Sequence, residues 1–304
     1  MTLADSPPHG PDERESETLD DWIRQRGGID GAFAALLSNP ALPKATQVFA
    51  TNMLAGARAD AVMDAIHKDI GRFIVAMSAI YLHIKGGLTL PRLKAMVGVR
   101  SYLSPERARA LLQFLCHLGC LTEAPRPTRR EPVRYLPTAR FLTAWRDHMR
   151  LTLDAARVIE PSVARVLDRL DEPEVFMAFC RNQTEYGMGE MRESHQALAF
   201  TRVFMHRFAG QQIFWQLLSV QGAEDALPQG ALPVSVEAMA ELHGVSSVHV
   251  RRLLAAGVRE GLLRRCDDNG FVLEAAGRAT ARFVHAANLF VVIAAADKTA
   301  REFA

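Results

Sequence analysis

The fold is decided by residues 236–273, which read VEAMAELHGVSSVHVRRLLAAGVREGLLRRCDDNGFVL. Apolar residues recur at helical spacing on both sides of Gly244, and Ser246 stands where an N-cap would begin the second of two helices. Two short apolar runs follow, and the Asn269-Gly270 pair between them is a strong hairpin signal. Helix, glycine turn, helix and hairpin make a winged helix-turn-helix, so the stretch predicts a unit of this kind.

The same spacing predicts which faces of the two helices are buried. We expect the first helix to bury Val236, Met239 and Leu242, and the second to bury Val250, Leu253 and Leu254. Side chains on the other face of the second helix become candidate contacts to DNA bases or phosphates: Ser247, His249, Arg251 and Arg252. A solvated helix surface is the alternative interpretation of this face.

An earlier stretch, from Leu90 to about Leu136, has the same order of features. Its first helix ends at Gly98 as the later one ends at Gly244, and we expect both glycines in the left-handed conformation that ends helices. Ser104 then caps its second helix. An insertion of four residues around Arg100 distinguishes this copy from the later one. The candidate DNA contacts of this copy are Arg100, Arg107 and Arg109.

Long apolar helices are predicted on both sides of each copy. The segment 71–80 resembles 210–218 as a leading helix, and 139–152 resembles 281–292 as a trailing helix. The predicted fold is therefore mainly α, with two winged helix-turn-helix units that each have flanking helices and a small β-hairpin wing. The predicted domains are a disordered acidic tail at 1–21, a first unit at 22–160 and a second unit at 161–304.

The net charge of +2 conceals a strong asymmetry along the chain. Residues 85–150 contain 13 basic and 4 acidic side chains, a net charge of +9, whereas residues 1–30 have a net charge of −5. A patch of +9 within the first unit is typical of a surface that contacts phosphates. The sequence therefore indicates double-stranded DNA as the partner.

The two predicted wings differ in charge. The first wing contains three prolines that keep the loop extended, and its arginines are further candidate contacts to phosphates or to a minor groove: Arg126, Arg129, Arg130 and Arg134. A role in solubility alone is the alternative. Asp267 and Asp268 at the tip of the second wing would be repelled by phosphate, so we expect that tip to stay off DNA.

The sequence contains no phosphate-binding glycine loop, dinucleotide fingerprint or Gly-x-Ser-x-Gly elbow. Cys116 and Cys120 lack the second pair of ligands that a zinc site needs, and the four cysteines are expected to be buried free thiols. We therefore expect a protein that is not an enzyme and that holds no metal and no cofactor.

Length and hydropathy indicate the cellular setting. With 304 residues and 49% hydrophobic content, the chain can form two compact domains. Its longest apolar run, at 286–296, is shorter than the ~18 residues of a membrane span, and the N-terminus lacks a signal pattern. We expect a cytoplasmic, nucleoid-associated protein without membrane contact.

In the order and length of its elements, each copy resembles a protomer of the MarR family, with a helix leading in, a winged helix and a helix leading out. The resemblance implies two such protomers fused into a single-chain pseudo-dimer, a bacterial transcription regulator that binds two DNA half-sites of different sequence. The tandem winged helices also resemble plasmid replication initiators, and a winged-helix scaffold that binds proteins is a further alternative. The sequence leaves open whether the chain forms a homodimer or binds a small-molecule effector.

Overall fold

The computed structural model describes residues 28–98, 103–125, 128, 131–188, 195–219, 227–228, 230–232, 235–266 and 270–304. The described chain is mainly helical, with small antiparallel sheets. The acidic tail predicted at 1–21 lies outside the described residues.

Four helices come before the first sheet in the described part of the chain: α1 (Gly28–Ser38), α2 (Leu42–Ala59), α3 (Ala61–His67) and α4 (Ile70–Ile84). The elements of the first copy and its trailing helix follow: β1 (Leu88–Thr89), α5 (Leu90–Gly98), α6 (Pro105–His117), β2 (Leu121–Glu123), β3 (Arg134–Pro137) and α7 (Ala139–Arg157).

The second half begins with short helical segments: a 3₁₀ turn (Pro161–Val163), α8 (Ala164–Leu167), α9 (Pro173–Gly187), α10 (His195–Phe200) and a π-helical turn (Thr201–Met205). The leading helix, the second copy and its trailing helix follow: α11 (Gly210–Ser219), β4 (Ala231–Leu232), α12 (Val236–His243), α13 (Ser247–Arg259), β5 (Leu263–Arg265), β6 (Phe271–Leu273) and α14 (Ala275–Glu302).

The two sheets have the same topology. In the first, β3 lies between β1 and β2, and in the second, β6 lies between β4 and β5, with every pair antiparallel. The outer strands β1 and β4 were not predicted from the sequence, because two residues are too few to show an alternating pattern. Each copy, together with the short strand before it, therefore runs strand, helix, helix, strand, strand.

The two copies also agree in individual hydrogen bonds. The Ser104 hydroxyl caps α6 by accepting from the backbone N–H of Arg107 at 3.2 Å, and the Ser246 hydroxyl caps α13 by accepting from the N–H of His249 at 3.1 Å. Each serine satisfies a backbone donor that an open helix end would leave unpaired. Counting from these caps, every residue of α6 has a structural equivalent in α13.

The glycine that ends the first helix differs between the copies. Gly244 has a φ of +61° and ends α12 in the left-handed conformation, as its position in the sequence predicts. The same prediction is wrong for Gly98, which is the last residue of α5 and has no positive φ. The two copies also differ in sequence after this glycine, because the four-residue insertion around Arg100 occurs only in the first copy.

Helices from both halves contribute to one hydrophobic core. The trailing helix α14 packs most extensively against α9 and also contacts α1, α2 and α7, while α2 packs between α7 and α11. Helices from both sides of residue 160 therefore stabilise each other.

The trailing helix α14 is longer than the sequence predicts. It spans 28 residues, which is long and apolar enough to cross a membrane by length and composition alone. The expectation that no segment reaches this length was wrong, because alanine and threonine residues extend the helix beyond the apolar run at 286–296. About two thirds of its most apolar window, 67%, is buried inside the protein, as in the core helix of a globular fold.

Candidate nucleic-acid interface

The second helix of the second copy, α13, has a continuous exposed stripe on its outer side. Its members are exposed at helical spacing, starting two residues after the capping serine: Val248, Arg251, Arg252, Ala255 and Arg259. The opposite face is buried, as predicted, through Val250, Leu253 and Leu254. We call the exposed set the second stripe.

The equivalent helix α6 has a matching exposed set, which we call the first stripe: Glu106, Arg109, Ala110, Gln113 and His117. The spacing from the capping serine is the same as in α13, so the members pair one to one. Arg109 corresponds to Arg251, whereas Glu106 corresponds to Val248 and Ala110 to Arg252. The two stripes therefore have one arginine in common and differ on either side of it.

The arginines of the stripes are accessible to a ligand. Arg251 forms an ion pair with Glu237 in the first turn of α12, with 2.5 Å between nitrogen and oxygen, and both side chains are more than half exposed. Surface pairs of this kind contribute about 0–1 kcal/mol, so a phosphate or a guanine can replace the carboxylate. Within the described residues, Arg109 and Arg252 form no ion pair.

Arg107 and His249, which were predicted as DNA contacts, occupy equivalent positions beside the stripes and contact the leading helices. Arg107 Nη2 lies 2.8 Å and 3.0 Å from the two carboxylate oxygens of Asp69, the residue that caps α4. His249 Nε2 donates to the Phe208 carbonyl oxygen, just before α11, at 2.8 Å. Each contact fixes the start of a stripe-bearing helix against the start of a leading helix.

The starts of the two leading helices meet at a partly buried site that we call the junction. The Lys68 carbonyl accepts from the Ala209 N–H at 2.8 Å. The guanidinium of Arg72 lies 4.0 Å from the ring centroid of Phe114 in α6 and 5.4 Å from that of Phe208. The junction therefore connects the two stripe-bearing helices and sets their relative orientation.

The remaining predicted residues are placed as follows. Arg134, at the start of β3, donates to the Gly86 carbonyl at 2.8 Å and covers Gly87, where an added Cβ would come within 2.5 Å of its Nη2. Ser247 is the first residue of α13 and is half-buried. Outside the described residues lie Arg100, Arg126, Arg129, Arg130, Asp267 and Asp268.

The described residues contain no group of three or more histidine, cysteine or acidic side chains that could hold a metal ion. Burial raises the pKa of the Cys120 thiol to about 12, and it raises that of Cys116, so both remain protonated at neutral pH. The two thiols that are close in sequence therefore lack the thiolate character that redox chemistry needs.

Sequence reasoning missed Val248 and Arg259 as members of the second stripe. Val248 was missed because the predicted DNA contacts were polar or charged side chains, and Val248 is apolar, although its side chain is 51% exposed. The signal that could have identified both is the helical spacing measured from Arg251 in each direction. No known protein family, curated protein or solved structure matches the chain.

Proposed function

We propose that each copy is a winged helix-turn-helix unit and that the protein is a sequence-specific transcription regulator, which binds double-stranded DNA as a single-chain pseudo-dimer. The observation that carries the proposal is the pair of matched, exposed, arginine-bearing stripes. Each stripe lies on the second helix of a strand-helix-helix-strand-strand unit, the element that enters the major groove in winged helices. The order and length of the elements support a likeness to fused MarR-type protomers.

The chemistry of the stripes suits base recognition. An α-helix fits the major groove, and arginine pairs with the two acceptors of guanine there. Arg109 and Arg251 lie in the N-terminal halves of α6 and α13, the part of such helices that contacts base edges. The net charge of +9 over residues 85–150 supplies phosphate attraction beside the first stripe.

The contacts at the junction support reading of two half-sites by one chain. Arg107 holds α6 and His249 holds α13 against leading helices that meet at Lys68 and Ala209. Two DNA-reading helices held at a set separation would select half-sites at a set spacing. Because the stripes differ in sequence, the two half-sites should differ as well.

A protein-binding scaffold is the second candidate, and one observation favours it. Leu242 was expected in the core but is 41% exposed, and Val248 and Phe208 are 51% and 40% exposed. These apolar side chains, two on the second copy and one just before its leading helix, suit a protein partner. Salt dependence separates the two functions, because phosphate contacts weaken steeply with salt and an apolar interface does not.

The test is selection of bound fragments from a random duplex library, followed by titration of the selected site at several salt concentrations. We expect a two-part site bound with a Kd on the order of 10⁻⁸ M or tighter at physiological salt. We also expect affinity to fall as salt rises, with a logarithmic slope of roughly −0.9 per phosphate contacted. Failure to enrich any duplex over bulk DNA would contradict the proposal.

A further inference from the structure

We infer that Glu106 and Val248 make the two half-sites differ at one base position, whereas Arg109 and Arg251 read the same guanine in both. The inference rests on the proposed DNA binding and assigns a base to a named position. Its starting point is the one-to-one pairing of the stripes, which follows from the matched serine caps of α6 and α13.

Glu106 and Val248 both stand two residues after the capping serine and are both exposed. Each begins its stripe, one helical turn before the shared arginine. The two side chains would therefore meet the same base position in their respective half-sites. Any difference in their chemistry becomes a difference in the preferred base.

The two chemistries select different pyrimidines in the major groove. The Glu106 carboxylate accepts a hydrogen bond from the N4 amino group of cytosine, whereas the Val248 side chain packs against the thymine methyl group. Thymine presents an acceptor oxygen, O4, where cytosine presents its amino group, and that oxygen repels a carboxylate. We therefore expect cytosine opposite Glu106 and thymine opposite Val248.

The charge around Glu106 favours contact of this side chain with a base over contact with a phosphate. Glu106 lies in the region of net charge +9, yet within the described residues it forms no ion pair. An unpaired carboxylate there lowers attraction to phosphates, and a hydrogen bond from a base would offset that loss. A carboxylate in a first helical turn also stabilises the helix through its dipole, so the experiment has to separate that structural effect from recognition.

The experiment is duplex selection with the full chain carrying Glu106→Val, Val248→Glu or both. Glu106→Val should change the first half-site from cytosine to thymine, with a shift in relative affinity of about tenfold or more, and should make the two half-sites alike at this one base position. Val248→Glu should change the second half-site from thymine to cytosine. The double variant should exchange the two preferences and leave the shared guanine unchanged.

The matched control is Glu174→Val. Glu174 is exposed in the first turn of α9, two residues after the capping residue Glu172, and lies outside both stripes. Its replacement removes the same charge and the same helix-dipole contribution, and it should leave the selected site unchanged. Glu106→Gln is the second variant, because an amide pairs with adenine and should move the preference toward adenine.

The outcomes separate this inference from the proposed function. If the wild-type chain selects no site, both fail. If it selects a site and Glu106→Val keeps cytosine in the first half-site, the inference is overturned and DNA binding stands. A Glu106→Val chain that binds all duplexes more tightly with unchanged base preference would show that the carboxylate acts by charge alone, which also overturns the inference.

Discussion

At the scale of single residues, solvent exposure distinguishes side chains that can be replaced without unfolding the protein from those that cannot. Arg251 and Arg252 lie on the second stripe, and the buried face of their helix is formed by Val250, Leu253 and Leu254. The exposed pair between Arg251 and Glu237 contributes little to folding. These two arginines therefore suit a test of function that leaves the fold intact.

Replacing both Arg251 and Arg252 with alanine should weaken specific DNA binding. We expect a loss of about 1–3 kcal/mol for each bidentate contact between an arginine and a base that the substitutions remove. The relaxed base preference should be confined to the half-site read by the second copy, since α6 is unaltered. Duplex selection and a binding titration measure both effects, and thermal unfolding should give a nearly unchanged Tm. Relaxed preference in both half-sites would contradict the assignment of one stripe to one half-site.

Arg107 and Arg109 are neighbours on α6 with different expected roles. Arg107→Ala removes the ion pair with Asp69 that holds the helix in place, so affinity should fall with the base preference unchanged. Arg109→Ala removes a side chain that we propose to pair with a base, so preference for guanine in the first half-site should relax. Both variants remove one positive charge from the same helix, so they control for each other. A change of base preference in Arg107→Ala would mean that Arg107 reads bases directly.

At the scale of secondary-structure elements, the sequence was informative wherever a periodic pattern was long enough. The leading helix predicted at residues 71–80 spans Ile70–Ile84, and the capping serines at 104 and 246 begin the expected helices. The two-residue strands β1 and β4 carry no pattern. The partner of Arg107 was also unpredictable, because Asp69 is distant in sequence and only the packing of α4 on α6 brings the two together.

The two glycines that end α5 and α12 give a matched test of element ends. Gly244→Ala should destabilise the protein by about 1 kcal/mol, because alanine is strained at a φ of +61°. The new methyl group itself meets only Lys68 Nζ, at 3.6 Å, an ordinary contact. Gly98→Ala should be neutral or stabilising by up to about 1 kcal/mol, because Gly98 is helical and its Cβ position is open. Urea unfolding measures both, and equal destabilisation would contradict the difference in backbone conformation.

At the scale of the whole molecule, the two halves are joined by a cluster of aromatic and histidine rings. The ring of His67 in α3 lies 4.7 Å from that of His148 in α7 and 5.6 Å from that of Trp215 in α11, measured between centroids. The ring of His285 in α14 lies 5.4 Å from that of Phe49 in α2. These histidines are scattered in the sequence and show no common spacing, so only the tertiary fold reveals that they share a core.

Burial determines the protonation state of these histidines. Desolvation lowers the pKa of His67 to about 4, although the nearby Asp64 carboxylate opposes the shift, and it lowers the pKa of His285 to about 4. The pKa of His148 is lowered well below its usual range by burial and by its neighbour His67. All three rings are therefore neutral in the folded protein at pH 7.

Lowering the pH should therefore destabilise both halves of the protein at once, because the buried histidines lie in the core that the halves share. Between pH 6.5 and about 4 the unfolded chain binds protons that the folded chain excludes, so the free energy of unfolding falls as the pH is lowered. Each buried histidine contributes up to about 1.4 kcal/mol per pH unit in that window.

Urea unfolding from pH 7 to pH 5 measures how steeply the free energy of unfolding depends on pH. His67→Phe, which keeps an aromatic ring against Phe73 and Trp215, should reduce this dependence by one histidine's share. A stability that is independent of pH in this range would show that the rings are not held neutral by the core, and the shared packing of the two halves would then need revision.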